Sequence, residues 1–465
     1  MKEKQHIHIL GICGTAMAAI ASLAKETGFA VTGSDSGIYP PMSDYLESLN
    51  IPVQPFDEKN LDPAPDIVVI GNAMSRGNIE VEATLNRGLT YLSGPEFIGR
   101  YILPDRHAVV VAGTHGKTTT SSIMAHLLEE AGHHPGFMIG GIPENFGGGA
   151  RAGAGEHFVL EGDEYDTAFF DKRSKFLHYH ARTLILNNLE YDHADIFPDL
   201  EAIKTQFHHL IRTIPESGNI IVNGDDPNLA DVLSRGCWTP LTTFARLGHQ
   251  SADWQWESIA PDGSHFSLYR HGERIMEASW QMIGIHNVAN ACAVAAAATT
   301  LGIETATIQR AFESFSGIRR RMSLVGEAGG IRIFDDFAHH PTAIRGMVSA
   351  ARHAMKTGGK LWVIVEPRSN TMRSKIHQDR LPQCFDGADR VIFAPASDRN
   401  LQADEVLDTR LVCSLIGNHA LALPDVESII EYVASNSGPG DDLLILSNGG
   451  FEGIHRKLLQ RLQLQ

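Results

Sequence analysis

The segment VVVAGTHGKTTTSSIMAHLLE, residues 109–129, decides the fold. Its apolar start, Val109–Ala112, reads as a buried strand, and Ile123, Met124, Leu127 and Leu128 continue it as a helix. Between them lie a glycine turn, Lys117 and Thr118. Strand, glycine turn, lysine, hydroxyl residue and helix form the context of a phosphate-binding loop. Amides of the turn point at phosphate oxygens, and the helix N-terminus adds partial positive charge. Lys117 then reaches the β- and γ-phosphates, and a threonine hydroxyl ligates Mg²⁺. The spacing is shorter than the common loop: Gly113-x-x-Gly116-Lys117-Thr118, with Val111 where the first glycine usually stands.

A nucleotide so held needs further metal ligands. FVLEGDEYD puts Glu161 just past an apolar strand, and LILNNLEYDHAD puts His193 a few residues past another. In a parallel sheet both positions fall at the carboxyl-end crevice. A second glycine turn, HIHILGICGTAM, starts at His6; Cys13 and Ala16 replace the glycines of a dinucleotide fingerprint. Asp35, at the end of the next strand, stands where an acidic residue commonly takes a ribose hydroxyl. Two phosphate loops in separate units suggest a nucleotide-linked substrate and a separate nucleoside triphosphate.

At 465 residues the chain is too long for one core. A net charge of −16 argues against a nucleic-acid or anionic-membrane surface. The N-terminal apolar run is too short for a signal peptide, and the alanine-rich stretch near residue 293 reads as a buried helix. Five scattered cysteines without a CxxC pair fit a reducing cytoplasm rather than a disulfide framework or zinc cage. The strand–helix rhythm runs three times, which gives an α/β chain of three domains: 1–107, 108–316 and 317–465. The outer two read as Rossmann-like. The middle one combines a P-loop ATPase-like parallel sheet with a small antiparallel part between Trp254 and Trp280. YILPDRHA, ending at Ala108, reads as the first linker.

Taken together, GTHGKTTT, LEGDEYD, NNLEYDHAD, GIHNVANACAVAAA, FSGIRRRM and FDDFAHHPTAI, in that order along nearly the whole chain, resemble the Mur ligases, ATP-dependent amide ligases of peptidoglycan assembly. The resemblance implies a carboxylate activated as an acyl phosphate and attacked by an amine. It implies ATP on Gly113, Thr114, His115, Gly116, Lys117, Thr118 and Thr119, with Mg²⁺ on Thr118, Glu161 and His193. His286, Asn287 and Asn290 would form the adenine side; read alone, that stretch is a helix start packed by alanines. Asp336 and His339 would meet the ribose and phosphate side, and Arg321 the γ-phosphate, with Arg319 and Arg320 as alternatives in register. Lys117, Glu161, His193 and Arg321 would be the catalytic set.

The N-terminal turn and HHPTAI are closest to the branch using UDP-N-acetylmuramate. Gly11, Ile12, Cys13, Gly14, Thr15, Ala16, Met17 and Asp35 would hold its UDP part, and Asn145 would contact the substrate or acyl phosphate. EPRSNTM and SNGGFEGIH resemble one member of that branch, and the resemblance implies the tripeptide L-Ala-γ-D-Glu-meso-diaminopimelate as the incoming amine, on Arg368, Ser369, Asn370, Thr371 and Asn448. Free L-alanine is the alternative. Several members carry a carbamylated lysine beyond the metal-binding histidine; Lys204 falls too early for that role.

Overall fold

The computed structural model describes residues 4–355, 358–399 and 401–464. Its centre is the strand His107–Ala112, which lies between Thr183–Leu186 and His157–Gly162, parallel to both. Successive side chains of this strand enter opposite cores. Val109 and Val111 pack with Ile123, Leu127 and the alanines of the helix Ile285–Thr300, whereas Ala108, Val110 and Ala112 pack with Phe158, Leu160 and Phe207. Each buried valine contributes about 1.5–3 kcal/mol of transfer free energy. That burial on both faces is why the run contains no polar residue.

Among the described residues ten strands form the central sheet. Its parallel part runs from Gly136–Met138 to Trp254–Ser258. The expected antiparallel part follows, as Trp254–Ser258 pairs with His265–Arg270 and that strand with Glu273–Ser279. The N-terminal sheet has five parallel strands, with His6–Leu10 between Ala30–Ser34 and Ile67–Ile70. The C-terminal sheet has six, including Ile331–Asp336, Asp442–Leu446 and Leu361–Val365. Among the described residues its antiparallel pairing joins the edge strand Ser323–Ala328 to Ile331–Asp336. A two-stranded hairpin, Asp166–Ala168 with Asp171–Ser174, stands apart from these three large sheets, and the architecture is the mixed α/β one expected.

The tract read as a linker is partly helical: Ile98–Ile102 forms a helical turn, and Ile98, Ile102 and Leu103 are buried. Proline and charge at its end masked an apolar anchor. Through Phe97, Ile98 and Tyr179 the N-terminal and central sheets share one hydrophobic cluster. The C-terminal sheet has two clusters, one of which Ile283 of the central region packs against, and the Thr342–Glu190 and Asn370–Asp195 hydrogen bonds cross between the two regions.

Candidate active site

The register of the central sheet assembles the site. Val111 lies opposite Glu161 and Ala112 opposite Leu186, so the loop after Ala112 emerges between the acidic segment 161–164 and the segment 187–193. Gly113 has φ 146° and Gly116 φ 80°, and a Cβ on Gly116 would stand 2.8 Å from Asn290 Oδ1. Asn188 closes the loop. Its side chain accepts from the His115 amide at 2.7 Å, while the Thr114 hydroxyl accepts from the Glu190 amide at 2.8 Å. Helix Lys117–Glu130 follows with no side-chain cap, so its first amides are open to an anion. Gly116→Ala is expected to distort this cradle and raise the KM for ATP about tenfold or more, with the far-ultraviolet circular dichroism unchanged. An unaltered KM would show that the loop tolerates a side chain there.

Lys117 Nζ donates to the Gly113 carbonyl at 2.7 Å and to Glu164 Oε2 at 2.9 Å. Burial alone would lower this ammonium's pKa. The Glu164, Asp163 and Glu161 carboxylates outweigh it and hold the group charged, above its ordinary value. Glu164 is buried and also accepts from His193 Nε2 at 3.1 Å. Desolvation would lower His193, but the Glu164 and Asp192 carboxylates raise it overall. Asp163 is neutralised by Lys175 at 2.7 Å.

Glu161 is different. Its partners are neutral donors, the Gly140 amide at 2.9 Å and the Thr118 hydroxyl, and burial pushes its carboxyl up. Glu161 is half-buried, has no ion pair among the described residues and feels Lys117 and Arg321 only at a distance, and a carboxylate beside a hydroxyl is a donor set that suits Mg²⁺. The sequence-derived metal set is therefore divided: Thr118 and Glu161 are bonded to each other, while His193 clusters with Asp163 and Glu164. Nothing in the spacing singled out Glu164, since three acidic residues stand within four positions.

A cavity of about 1070 Å³ opens from this loop toward the C-terminal sheet. Lys117, Glu161, His193, His286, Arg321 and His339 all line it. The three consecutive arginines have separate destinations. Arg319 pairs with Glu144 at 3.3 Å, and Arg320 pairs with Asp335 at 2.9 Å and donates to the Ser447 and Gly449 carbonyls. Arg321 has no carboxylate partner among the described residues and lies 5.3 Å from the Phe337 ring, inside the cavity.

Other candidates are held by the fold itself. Asp336 is fully buried and accepts from the Met322 and Ala338 amides, both at 2.8 Å. Asn287 and Asn290 are buried; Asn287 donates to the Ile283 carbonyl at 2.7 Å, and Asn290 abuts Gly116. Asn145 is exposed, bonded to the Ser314 carbonyl and the Ser316 amide, and is not in the cavity lining. In the first loop, Ile12 and Met17 are buried core, while Gly14, Thr15 and Ala16 are exposed at an uncapped helix start. Asp35 accepts from the Cys13 amide at 2.9 Å and the Gly37 amide at 2.8 Å, which braces the turn.

From the C-terminal side, Asn370 donates to Asp195 at 2.9 Å, and the Thr371 hydroxyl accepts from the Ala194 amide at 3.4 Å, next to His193. Asn448 lines the cavity, and its side-chain oxygen is buried without a partner. Thr342 donates to Glu190 at 2.8 Å. Lys204 pairs with Asp231 at 3.0 Å.

This geometry has known counterparts. Three family models match: "Mur ligase family, catalytic domain" over residues 6–105, "Mur ligase middle domain" over 111–298, and "Mur ligase, glutamate ligase domain" over 320–449. UDP-N-acetylmuramate–L-alanyl-γ-D-glutamyl-meso-2,6-diaminoheptandioate ligase of Escherichia coli K12 is 46% identical, with 98% of each chain covered. The chain belongs to the Mur ligase family.

The Haemophilus influenzae ligase of the same name is 43% identical over 99% of this chain and all of its own. A murein peptide ligase structure from Psychrobacter arcticus superposes with a TM-score of 0.75 at 42% identity, covering 99% of both chains. The UDP-N-acetylmuramate–alanine ligase of Thermotoga maritima shares the fold, with a TM-score of 0.78 at 22% identity. As a Mur ligase the protein is an ATP-dependent enzyme that forms an amide bond. Among the described residues no helix is long and apolar enough to cross a membrane.

Proposed function

We propose that this Mur ligase joins L-Ala-γ-D-Glu-meso-diaminopimelate to UDP-N-acetylmuramate in the cytoplasm, returning a peptide to cell-wall assembly. The observation that carries the substrate choice is the likeness to two ligases whose names specify that peptide. They are 46% and 43% identical, whereas alanine-adding relatives stand at 28–32%. The placement of Asn370 and Thr371 against Asp195 and Ala194 supports a peptide entering from the C-terminal side.

The reaction needs no enzyme nucleophile. A lactyl carboxylate oxygen attacks the γ-phosphorus, the bond to the β-phosphate oxygen breaks, and ADP leaves. The alanyl nitrogen then attacks the acyl carbon, phosphate departs, and the nitrogen loses a proton. Charge gathers first on phosphoryl oxygens and then on a tetrahedral oxyanion. Lys117, the open amides of helix Lys117–Glu130 and Arg321 face that charge from two domains. Thr118 and Glu161, with His193 nearby, would hold Mg²⁺, which when bound neutralises phosphate charge. The first loop, at Gly14–Ala16, would take the UDP part, with Asp35 fixing the turn. His286, exposed toward Gly346 across the domain gap, would border the base.

The test is ADP release with UDP-N-acetylmuramate and either tripeptide or free L-alanine, with the product mass recorded. Release with the tripeptide is expected. Release with L-alanine alone would overturn the substrate and leave the ligase chemistry standing.

A further inference from the structure

We propose that His115, Glu190 and His340 form a binding site for a nitrogen-seeking divalent ion of the Zn²⁺ class, which clasps the phosphate loop to the C-terminal domain. The site is separate from the oxygen set of Thr118 and Glu161. His115 sits in the loop itself, Glu190 follows the strand Thr183–Leu186, and His340 caps the helix Pro341–Ala354 of the C-terminal domain. Each offers one ligand atom, and the three atoms lie within 4.8 Å of one another.

The nitrogens of this cluster are underused. His115 Nε2 is buried without a hydrogen-bond partner and stands 3.9 Å from Glu190 Oε1. His340 is 2% exposed; its ring centroid lies 4.5 Å from that of His115, and its Nδ1 lies 4.0 Å from Glu190 Oε2. Behind it stands His377, also 2% exposed, with its ring centroid 4.7 Å from that of His340 and no partner on either nitrogen. Buried polar atoms without partners are costly, and several gathered in one place call for a ligand. Burial holds His340 and His377 down, each at about 4, so both rings present a lone pair rather than a charge at neutral pH.

Two imidazoles and a carboxylate are a common zinc set, with a fourth position open to water or a substrate oxygen. Such ligands stand about 3.4 Å apart when each is about 2.0–2.1 Å from the ion, so a small rotation of Glu190 closes the set. Mg²⁺ prefers oxygen and is drawn to Thr118 and Glu161 instead. Thr342 occupies Glu190 Oε2 at 2.8 Å, which leaves Oε1, the oxygen toward His115, for the ion. The ion's second charge is met by Asp192, which is buried and whose field reaches all three histidines. His115, Glu190 and His340 all line the large cavity, so an entry path exists. One cation opposes binding: Arg380 reaches Glu190 Oε2 at 3.4 Å, but its side chain is 53% exposed and is displaced at little cost. The other cluster of ligand atoms, Asp163, Glu164 and His193, is already neutralised by Lys117 and Lys175.

Co²⁺ titrated into the full-length protein in excess Mg²⁺ tests the site, because tetrahedral Co²⁺ with nitrogen ligands shows a visible absorption band that the aqueous ion lacks. The band should appear and be abolished by Zn²⁺. Glu190→Gln, which keeps the acceptor for Thr342, and His340→Ala should each weaken Co²⁺ binding about tenfold or more, with the circular dichroism unchanged. Arg380→Ala should tighten binding, because the competing cation is gone; general damage to the fold would not do so. His193→Ala should leave the band in place. Zn²⁺ should also raise the Tm of the wild type and not that of Glu190→Gln, as expected of an ion that joins two domains. No band, or a band indifferent to both Glu190→Gln and His340→Ala, overturns the assignment. So does a band that His193→Ala removes and Glu190→Gln keeps.

Discussion

Lys117→Ala should lower kcat/KM for ADP release by about 10³-fold or more. Removing one preorganised donor from developing charge costs about 10²–10³ in rate. Here the donor is a full ammonium, held at the loop by the Gly113 carbonyl and kept charged by surrounding carboxylates. The same substitution strips the buried Glu164 of its cation, leaving His193 as its remaining partner in an ion pair. Breaking a buried pair costs about 3–5 kcal/mol, so a lower Tm is expected alongside the lost activity. Lys117→Arg separates the two effects. It keeps the charge near Glu164, and hence most of the Tm, but its larger planar head does not fit between Gly113 and Glu164, and turnover should stay low. Calorimetric titration of ATP would complete the comparison. If Lys117→Ala kept more than a tenth of wild-type activity, the cavity at this loop would not be where the phosphate is transferred.

The Lys117 loop was legible because local sequence specifies it: strand, glycines and helix are contiguous. The buried parallel strands were legible for a related reason. Ile67–Ile70 and Leu361–Val365 are covered on both faces and read as unbroken apolar runs. The edge strand Ser323–Ala328 was not, since Leu324 and Val325 are exposed and no clear period marks it. Partners distant in sequence were also hidden. Glu164 meets Lys117 only because of the register Val111–Glu161, and Asn290 reaches Gly116 only because its helix packs under the loop. A motif names residue types; the sheet register decides which of three neighbouring carboxylates receives the lysine. The Gly11 turn shows the converse. Its acidic residue stood at the expected distance, yet in the structure both Asp35 oxygens accept backbone amides, so the spacing also serves to brace the turn.

The three neighbouring arginines should separate cleanly on substitution. Arg321→Ala is expected to lower kcat about 10²–10³-fold with little change in Tm, because its guanidinium faces the cavity and holds no carboxylate among the described residues. Arg319→Ala should be close to wild type. Its pair with Glu144 is exposed, at 54% and 41% for the two side chains, and such pairs are worth about 0–1 kcal/mol. Arg320→Ala should act through stability instead, since it ties Asp335 to the carbonyls of Ser447 and Gly449 next to Asn448; Tm falls first, and kcat follows as the Asn448 segment loosens. Arg321→Lys should recover part of the rate, because a charge returns without the fork that grips two phosphate oxygens. The measurements are kcat and Tm on the four variants under saturating substrates. Should Arg319→Ala prove the slow variant and Arg321→Ala the silent one, the register of the arginine run would be wrong by two residues. Closure of the C-terminal domain onto the loop would then have to bring a different face of that run to the phosphate.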